Sequence, residues 1–563
     1  MLNYFTHDYG NILINIMKFI NIRGLLLVTM SVVIALIKRN NSLIAPKLKN
    51  NCIYIALAIV LFIGAAIRVF MLGNIPVDLA PDEASVYYDA LCLANYGTNR
   101  LGQVNAVYFN TWEFAGQSPA MATLASFFIR IFGNSIFVFR LSQALPAIIT
   151  VLLAFFIGKK LADPLTGLIA AAILAISPWH IMMSRWVLDC NLSAFATTAA
   201  VCALLYSFDN NGKMTNIFYL YCIFAGLSLY TYAPTNIMMF IFTLAVYIVF
   251  LAKKRIDYKI FIPANIILFI IALPMIGFVV INILGLPSFE SNFLTIPYME
   301  YFRSDDISGN IILNLFENIG NLYDIGQRVV LYPQFSVMYV FSIPLIIMGI
   351  IGAIKKLKDK YILVLWLVAS AIQMGRIGKS GMWVVVNLAV TLPYFIAIGI
   401  TETVTHIKIT KWLFMALYTI AFAMFLVSYF IVMPETTGVK IGAGQKDAIE
   451  YAQSLNVDKV YFSEYNGTND AFIYCALNNQ HSPSEYKEKT VVNPNIENWK
   501  YMKQYDNIVF FENIYDHSTE YNVAFVLFNY IDNVQYFIDM GYNIRTFRSF
   551  SVAYKGDNIN GPF

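Results

Sequence analysis

Charge is scarce in this chain. Asp, Glu, Lys and Arg together make up 13% of its 563 residues, about half the ~25% of an average soluble domain, and that shortage excludes a soluble multidomain enzyme. Cysteine offers no framework either. The six residues (Cys52, Cys92, Cys190, Cys202, Cys222 and Cys475) form no CxxC pair and lie mostly inside or beside apolar segments. Neither a disulfide scaffold nor a zinc site is expected, and they read as small apolar residues. The net charge of +4 is small for the length, and the basic residues sit in short clusters between apolar runs, so nucleic acid is not an expected partner. No internal repeat stands out, which weakens one common transporter architecture without excluding it.

Apolar length is what the chain has instead. Hydrophobic residues reach 58%, and runs of about 20 residues, each long enough to cross the hydrocarbon core, recur throughout. Candidate spans lie at about 51–72, 137–158, 164–183, 187–207, 215–232, 235–252, 259–284, 335–354, 361–375, 382–400 and 412–433, with a further helix within 11–37 where Lys18 and Arg23 interrupt the run. A polytopic α-helical membrane protein follows. Six loops carry the Lys and Arg clusters: 38–49, 159–160, 213, 253–259, 355–360 and 408–411. With these spans all six fall on one side, the cytoplasmic side by the positive-inside rule. Three regions are then extracytoplasmic: a first loop at 73–136, a second at 285–334, and the tail from 434. The expected division is an N-terminal helix and linker (1–50), a transmembrane domain (51–433), and a soluble tail domain (434–563). In the tail, KDAIEYAQSL and YIDNVQYFIDMG read as helices, and VDKVYFS, NIVFFE, AFVLFN and a last strand NIRTFRSFSVAY as strands, a small α/β domain.

The first loop opens with Pro81, Asp82 and Glu83, ahead of Val86, Ala90, Leu93 and Ala94 at helical spacing. Two readings fit. Acids behind a proline favour the positive end of a helix, giving a capped helix on the membrane surface; alternatively, a carboxylate at the boundary acts as a general base. The loop continues through Asp89, Arg100, Trp112 and Glu113 to a second helix-like run, SPAMATLASFFIRIFGNS. In SPWHIMMSRWVLDCN, Arg185 and Asp189 stand four apart and share a face if one helix holds both. Arg185 is an interfacial anchor or, because its fork suits phosphate oxygens, a phosphate ligand. Trp179 and Trp186 suit a headgroup belt, and His180 reads as an interface residue rather than a catalyst. Tyr232 fits an outer aromatic girdle. Arg376 and Lys379 lie on the outer side against the positive-inside bias, where either an anionic lipid phosphate or ordinary loop tolerance accounts for them, and Arg68 raises the same question. Arg130 and Arg140 read as ordinary boundary residues.

Taken together these features resemble the GT-C glycosyltransferases of the dolichyl-phosphate-mannose protein mannosyltransferase and aminoarabinose transferase superfamily. The resemblance rests on Arg68 at the end of a span, Pro81-Asp82-Glu83-Ala84, FRLSQALPAIITVLLAFFIGKKLAD from Phe139, ISPWHIMMSRWVLDCN, GLSLYTYAP from Gly226, and VNLAVTLPYFIAIGI from Val386, over roughly residues 51–405. It implies a GT-C fold of about 11–13 transmembrane helices with a small extracytoplasmic α/β domain. The implied partners are a polyprenyl-phosphate sugar donor, membrane lipid, and an acceptor that is a protein, a lipid or a cell-wall glycan. The implied reaction lies at the extracytoplasmic membrane face, inverts the anomeric carbon, and uses Asp82 and Glu83 as the catalytic pair, Asp82 as base. Arg68, Glu113, Arg185, Asp189, Tyr232, Arg376 and Lys379 are the substrate-binding candidates. Many members of the resembled family carry a basic residue and two prolines late in the first loop, and this chain departs from that pattern with Gln117-Ser118-Pro119. No DxD-type motif occurs in the first loop, so neither a metal nor another cofactor is expected. A lipid-linked sugar flippase is the alternative; it should place ionisable residues near the membrane midplane, whereas most charges here lie at helix ends or in outer loops.

Overall fold

A computed structural model describes residues 2–38, 50–111, 116–209, 211–299, 309–323, 337–378, 384–436, 443–463, 471–492, 502–510 and 513–555. The first half of the chain forms α1 (Leu2–Lys38), α2 (Asn50–Val69), α3 (Pro81–Tyr96), α4 (Ala120–Phe132), α5 (Ile136–Leu161), α6 (Pro164–Ala175), α7 (Pro178–Ser184), α8 (Asp189–Tyr206), α9 (Ile217–Ser228), α10 (Ala233–Ala252) and α11 (Tyr258–Leu284). There follow α12 (Ile311–Tyr323), α13 (Ile343–Lys355), α14 (Leu357–Arg376), α15 (Val386–Ala389), α16 (Leu392–His406), α17 (Thr410–Val427) and α18 (Met433–Thr436). Among the described residues eight helices are long and apolar enough to cross a membrane, or nine if the bent pair α6–α7 is one span. The protein is a multi-pass, mostly helical membrane protein.

The span expected at 335–354 is shorter, a single 3-10 turn at Val340–Ser342 leading into the 13-residue α13, and those expected at 164–183 and 215–232 take a different form for local reasons. The run at 164–183 is bent by 62° between α6 and α7. Pro178 starts a new helix there, and the Ser177 side chain accepts from the His180 amide at 3.4 Å, an N-cap inside the apolar run. The run at 215–232 yields only the 12-residue α9, because a turn at Leu229–Thr231 precedes a new start at Ala233–Pro234.

The chain divides into two compact units. One comprises Met1–Leu72, Arg140–Gly277 and Arg303–Val432. Its helices approach closely where glycine removes the side chain. A Cβ on Gly349 of α13 would overlap the Phe395 carbonyl oxygen of α16, and a Cβ on Gly399 would overlap the Leu345 carbonyl oxygen in return. Small residues are the usual means of bringing membrane helices together. Gly349→Ala should therefore destabilise the bundle by the ~1–3 kcal/mol typical of overpacking, seen as a lower unfolding temperature in detergent; an unchanged temperature would contradict the close crossing.

The other unit comprises Gly73–Phe139, Phe278–Phe302 and Met433–Phe563. Two short hairpins belong to it, β1 (Phe109–Asn110) with β2 (Gly116–Gln117) and β3 (Phe289–Glu290) with β4 (Thr295–Ile296). The tail forms α19 (Gln445–Ser454), β5 (Lys459–Phe462), α20 (Ala471–Asn478), α21 (Pro483–Lys489), β6 (Thr490–Val492), β7 (Met502–Tyr505), β8 (Ile508–Phe510), β9 (Val523–Phe528), α22 (Val534–Asp539), β10 (Asn543–Phe547) and β11 (Phe550–Tyr554). Seven strands pair in the order β10-β11-β9-β5-β8-β7-β6, with β5 parallel to both β8 and β9 and the remaining pairs antiparallel. All six residues of β9 are buried, as a central strand covered on both faces requires. Tyr461, Phe525, Leu527, Phe537 and Tyr542 make the core on one side of the sheet. The expected last strand is instead the hairpin β10–β11, turning at Arg548 and Ser549. Arg548 takes φ 51°, the left-handed conformation that glycine or asparagine usually supplies at such a turn.

Candidate functional site

The carboxylate pair lies at the start of α3. Pro81 occupies the first turn, the preceding Ala80 is extended (φ −71°, ψ 157°), and Asp82 and Glu83 follow as first-turn acids. The helix stops at Gly97, which adopts φ 75° and donates its amide to the Leu93 carbonyl at 3.1 Å. Burial separates the two acids. Asp82 is exposed, whereas Glu83 is 1% exposed. Asp82 is thus the member of the pair that faces solvent, in the first turn of α3 where the helix dipole is positive.

Gln117 holds this turn in place. Its Nε2 donates to the Asp82 carbonyl at 3.4 Å and its Oε1 accepts from the Ser85 hydroxyl at 3.4 Å. Deeper in α3, Arg100 closes an ion pair with Asp89: Nη2 lies 2.7 Å from Oδ2 and Nε 3.1 Å from Oδ1, both side chains being 1% exposed. The same guanidinium donates to the Ser85 carbonyl and hydroxyl, each at 2.6 Å. Burial works against the charge on Arg100, but Asp89, with smaller help from Tyr486 and Tyr88, outweighs it and raises the pKa above its ordinary value. Arg100 and Asp89 thus fasten the loop to its helix.

A second cluster lies in the other unit and is made of buried arginines. Arg68, in the last turn of α2, donates to the carbonyls of Gly64 (2.9 Å), Ala175 (3.1 Å) and Leu174 (3.3 Å). Its Nη2 also lies 2.7 Å from His180 Nδ1. A guanidinium only donates, so Nδ1 accepts, and the imidazole is neutral with its proton on Nε2. Arg185, which caps α7, donates to the carbonyls of Ile67 (2.7 Å) and Arg68 (3.1 Å), and its guanidinium lies 5.0 Å from the Phe430 ring centroid. Arg140 donates to the Leu72 carbonyl at 3.3 Å. The bend between α6 and α7 and the end of α2 expose carbonyl oxygens that a helix would otherwise satisfy, and cations are favoured at these negative ends. Arg68, Arg140 and Arg185 are each 0% exposed.

The remaining candidates are placed as follows. Asp189 starts α8, where its Oδ1 accepts from the Cys190 amide at 2.7 Å. Arg185 and Asp189 do not share a helix: α7 ends at Ser184 and α8 begins at Asp189, so the expectation of an i,i+4 face is corrected by the break between them. Trp179 and Trp186, expected at a headgroup belt, are 1% and 4% exposed and pack inside the bundle instead. Tyr232 is 9% exposed and precedes the first turn of α10, and Arg376 is exposed in the last turn of α14. Glu113 and Lys379 lie outside the described residues. Sequence reasoning missed the parts played by His180, Arg140 and Gln117. The Ser177-Pro178 step carries a related signal, since a helix restarted there leaves the Leu174 and Ala175 carbonyls to a cationic donor, the part that Arg68 plays.

Residues 116–278 match the family model for dolichyl-phosphate-mannose-protein mannosyltransferase. No curated protein sequence matches the chain. Among solved structures, ArnT from Cupriavidus metallidurans in the apo state aligns over 91% of this chain and 99% of its own at a TM-score of 0.56 and 11% identity. The same protein bound to undecaprenyl phosphate aligns over 92% and 100% at a TM-score of 0.55 and 11% identity. The chain has the GT-C fold. Within this fold the family match begins at the Gly116-Gln117 strand beside α3, takes in Arg140 and Arg185 but not Arg68, and ends in α11.

Proposed function

We propose that this GT-C protein is a membrane glycosyltransferase that moves a sugar from a polyprenyl-phosphate carrier to an acceptor at the extracytoplasmic face. Residues 51–433 form the catalytic domain in this reading, and 434–563 an appended extracytoplasmic domain. The observation that carries it is the exposed Asp82 in the first turn of α3, in a fold shared along its length with a protein solved bound to undecaprenyl phosphate.

Asp82 takes the proton of the acceptor group as that group attacks the anomeric carbon. The bond from that carbon to the phosphate oxygen breaks, and the lipid phosphate leaves with the electron pair, so attack from the opposite face inverts the centre. A lipid phosphate monoester is already a good leaving group, so no strong acid is required. Cations matter more, because charge accumulates on the departing phosphate. Arg68 and Arg185 supply fixed positive charge for it, with Arg376, Lys379, Tyr232, Asp189 and Glu113 as further substrate contacts.

Arg185→Ala should weaken binding of undecaprenyl phosphate by about tenfold or more, the scale of a lost charge-assisted hydrogen bond. Direct titration of the purified variant checks this, and unchanged affinity would reduce Arg185 to a pin for α2. Mass spectrometry of surface glycans from cells with and without the gene tests the function itself. One class of glycan should disappear on deletion, naming the acceptor, and an unaltered glycan profile would count against the transferase.

A further inference from the structure

The segment leading into α3 is tied down by residues far away in the sequence. Asp78 adopts φ 58° and its Oδ2 accepts from the Gly444 amide at 2.8 Å. Next to it, the Leu79 carbonyl accepts from the Tyr474 hydroxyl at 2.8 Å. Leu79 and Tyr474 are each 1% exposed, so that carbonyl has no solvent to replace a lost donor. About two turns into α3, the Tyr88 hydroxyl donates to the His481 carbonyl at 2.8 Å, and its ring lies 5.6 Å from that of Tyr486. Gly444, Tyr474, His481 and Tyr486 all come from the tail, and all belong with residues 73–139 to one compact unit.

These contacts are placed where they control Asp82. Leu79 stands three residues before it, and the first backbone bond of α3, from the Ala84 amide to the Ala80 carbonyl at 2.8 Å, starts directly beyond the Tyr474 contact. Tyr474 itself cannot shift cheaply, because α20 is buried at every position from Ala471 to Leu477.

We propose that Tyr474 is a positioning residue for Asp82, and that the tail domain serves the transfer reaction by holding residues 78–80 so that the carboxylate at the head of α3 meets its acceptor in a fixed orientation. This rests on the reading of Asp82 as the base. A base displaced by a fraction of an ångström loses rate, not substrate affinity. The tail is thus part of the catalytic apparatus without touching substrate.

The test uses the full-length protein carrying Tyr474→Phe, with Tyr461→Phe as a control that removes a hydroxyl from the sheet of the same domain, where it meets Glu520. With polyprenyl-phosphate [14C]mannose as the probe donor, kcat should fall about tenfold with KM for the donor unchanged in Tyr474→Phe, and neither should change in Tyr461→Phe. Hydrogen exchange of the peptide covering residues 78–84 should accelerate about tenfold, the scale of one buried hydrogen bond, while β9 exchanges as before. Unchanged exchange at 78–84, an unchanged kcat, or an equal loss in Tyr461→Phe would overturn the inference. Wild-type transfer by Asp82→Asn would instead overturn the base assignment and with it any catalytic role for Tyr474, while the exchange data still report whether Tyr474 holds the segment.

Discussion

Asp82→Asn should lower the rate of sugar transfer by roughly 10²- to 10⁴-fold, the range over which a positioned general base contributes, while the protein remains folded. The substitution keeps the size of the side chain but replaces the charged, acceptor-only carboxylate with a neutral amide that cannot take the proton. Its stability cost is small, because an exposed carboxylate at a helix N-terminus contributes about 0.3–1 kcal/mol. Rate and stability therefore separate cleanly at this position, as they would not at the buried Glu83. The check is a transfer assay with radiolabelled donor, read beside the thermal unfolding of the same preparation. Full activity in the variant removes Asp82 from the chemistry and leaves it as a helix-starting acid, the alternative that its place behind Pro81 always allows.

Asp89→Ala should be the most damaging single change to the loop's stability. It leaves the Arg100 guanidinium buried without its carboxylate, and breaking a buried ion pair from one side costs about 3–5 kcal/mol. The loss should appear as early unfolding or protease sensitivity of residues 73–139, and transfer should fail with it. Replacing both partners, Asp89→Leu with Arg100→Met, should be markedly milder, because no charge is then stranded in the interior. A double variant as unstable as the single one would show that the bonds from Arg100 to Ser85, rather than the ion pair, hold the loop.

How far these features could be read from sequence depends on whether their cause was local. The start of α3 was legible, because Pro81 and the acids behind it act within one turn. So were α19, β5, β8 and β9, whose apolar periods match their secondary structure. The arginine cluster was legible as residues but not as geometry. Spacing suggested that Arg185 and Asp189 share a face, and that suggestion assumed an unbroken helix. The helix breaks, and Arg185 turns to the carbonyls at the end of α2. Trp179, Trp186 and His180 looked interfacial because their residue types favour headgroups, yet tertiary packing buries all three. The β10–β11 hairpin was hidden because Arg548 takes the left-handed turn position without a glycine to mark it. The hold of Tyr474 on Leu79 joins residues 395 apart in sequence, and no pattern in the chain announces such a contact.

The most direct test of the proposed function separates breaking the donor from moving it. Purified protein in proteoliposomes, supplied with radiolabelled polyprenyl-phosphate sugar and an extract containing candidate acceptors, should transfer the label off the lipid onto an acceptor, release free polyprenyl phosphate in equal amount, and lose both products in Asp82→Asn. Label that stays on the lipid and only changes leaflet, equally well in the Asp82 variant, would identify a flippase and contradict the transferase.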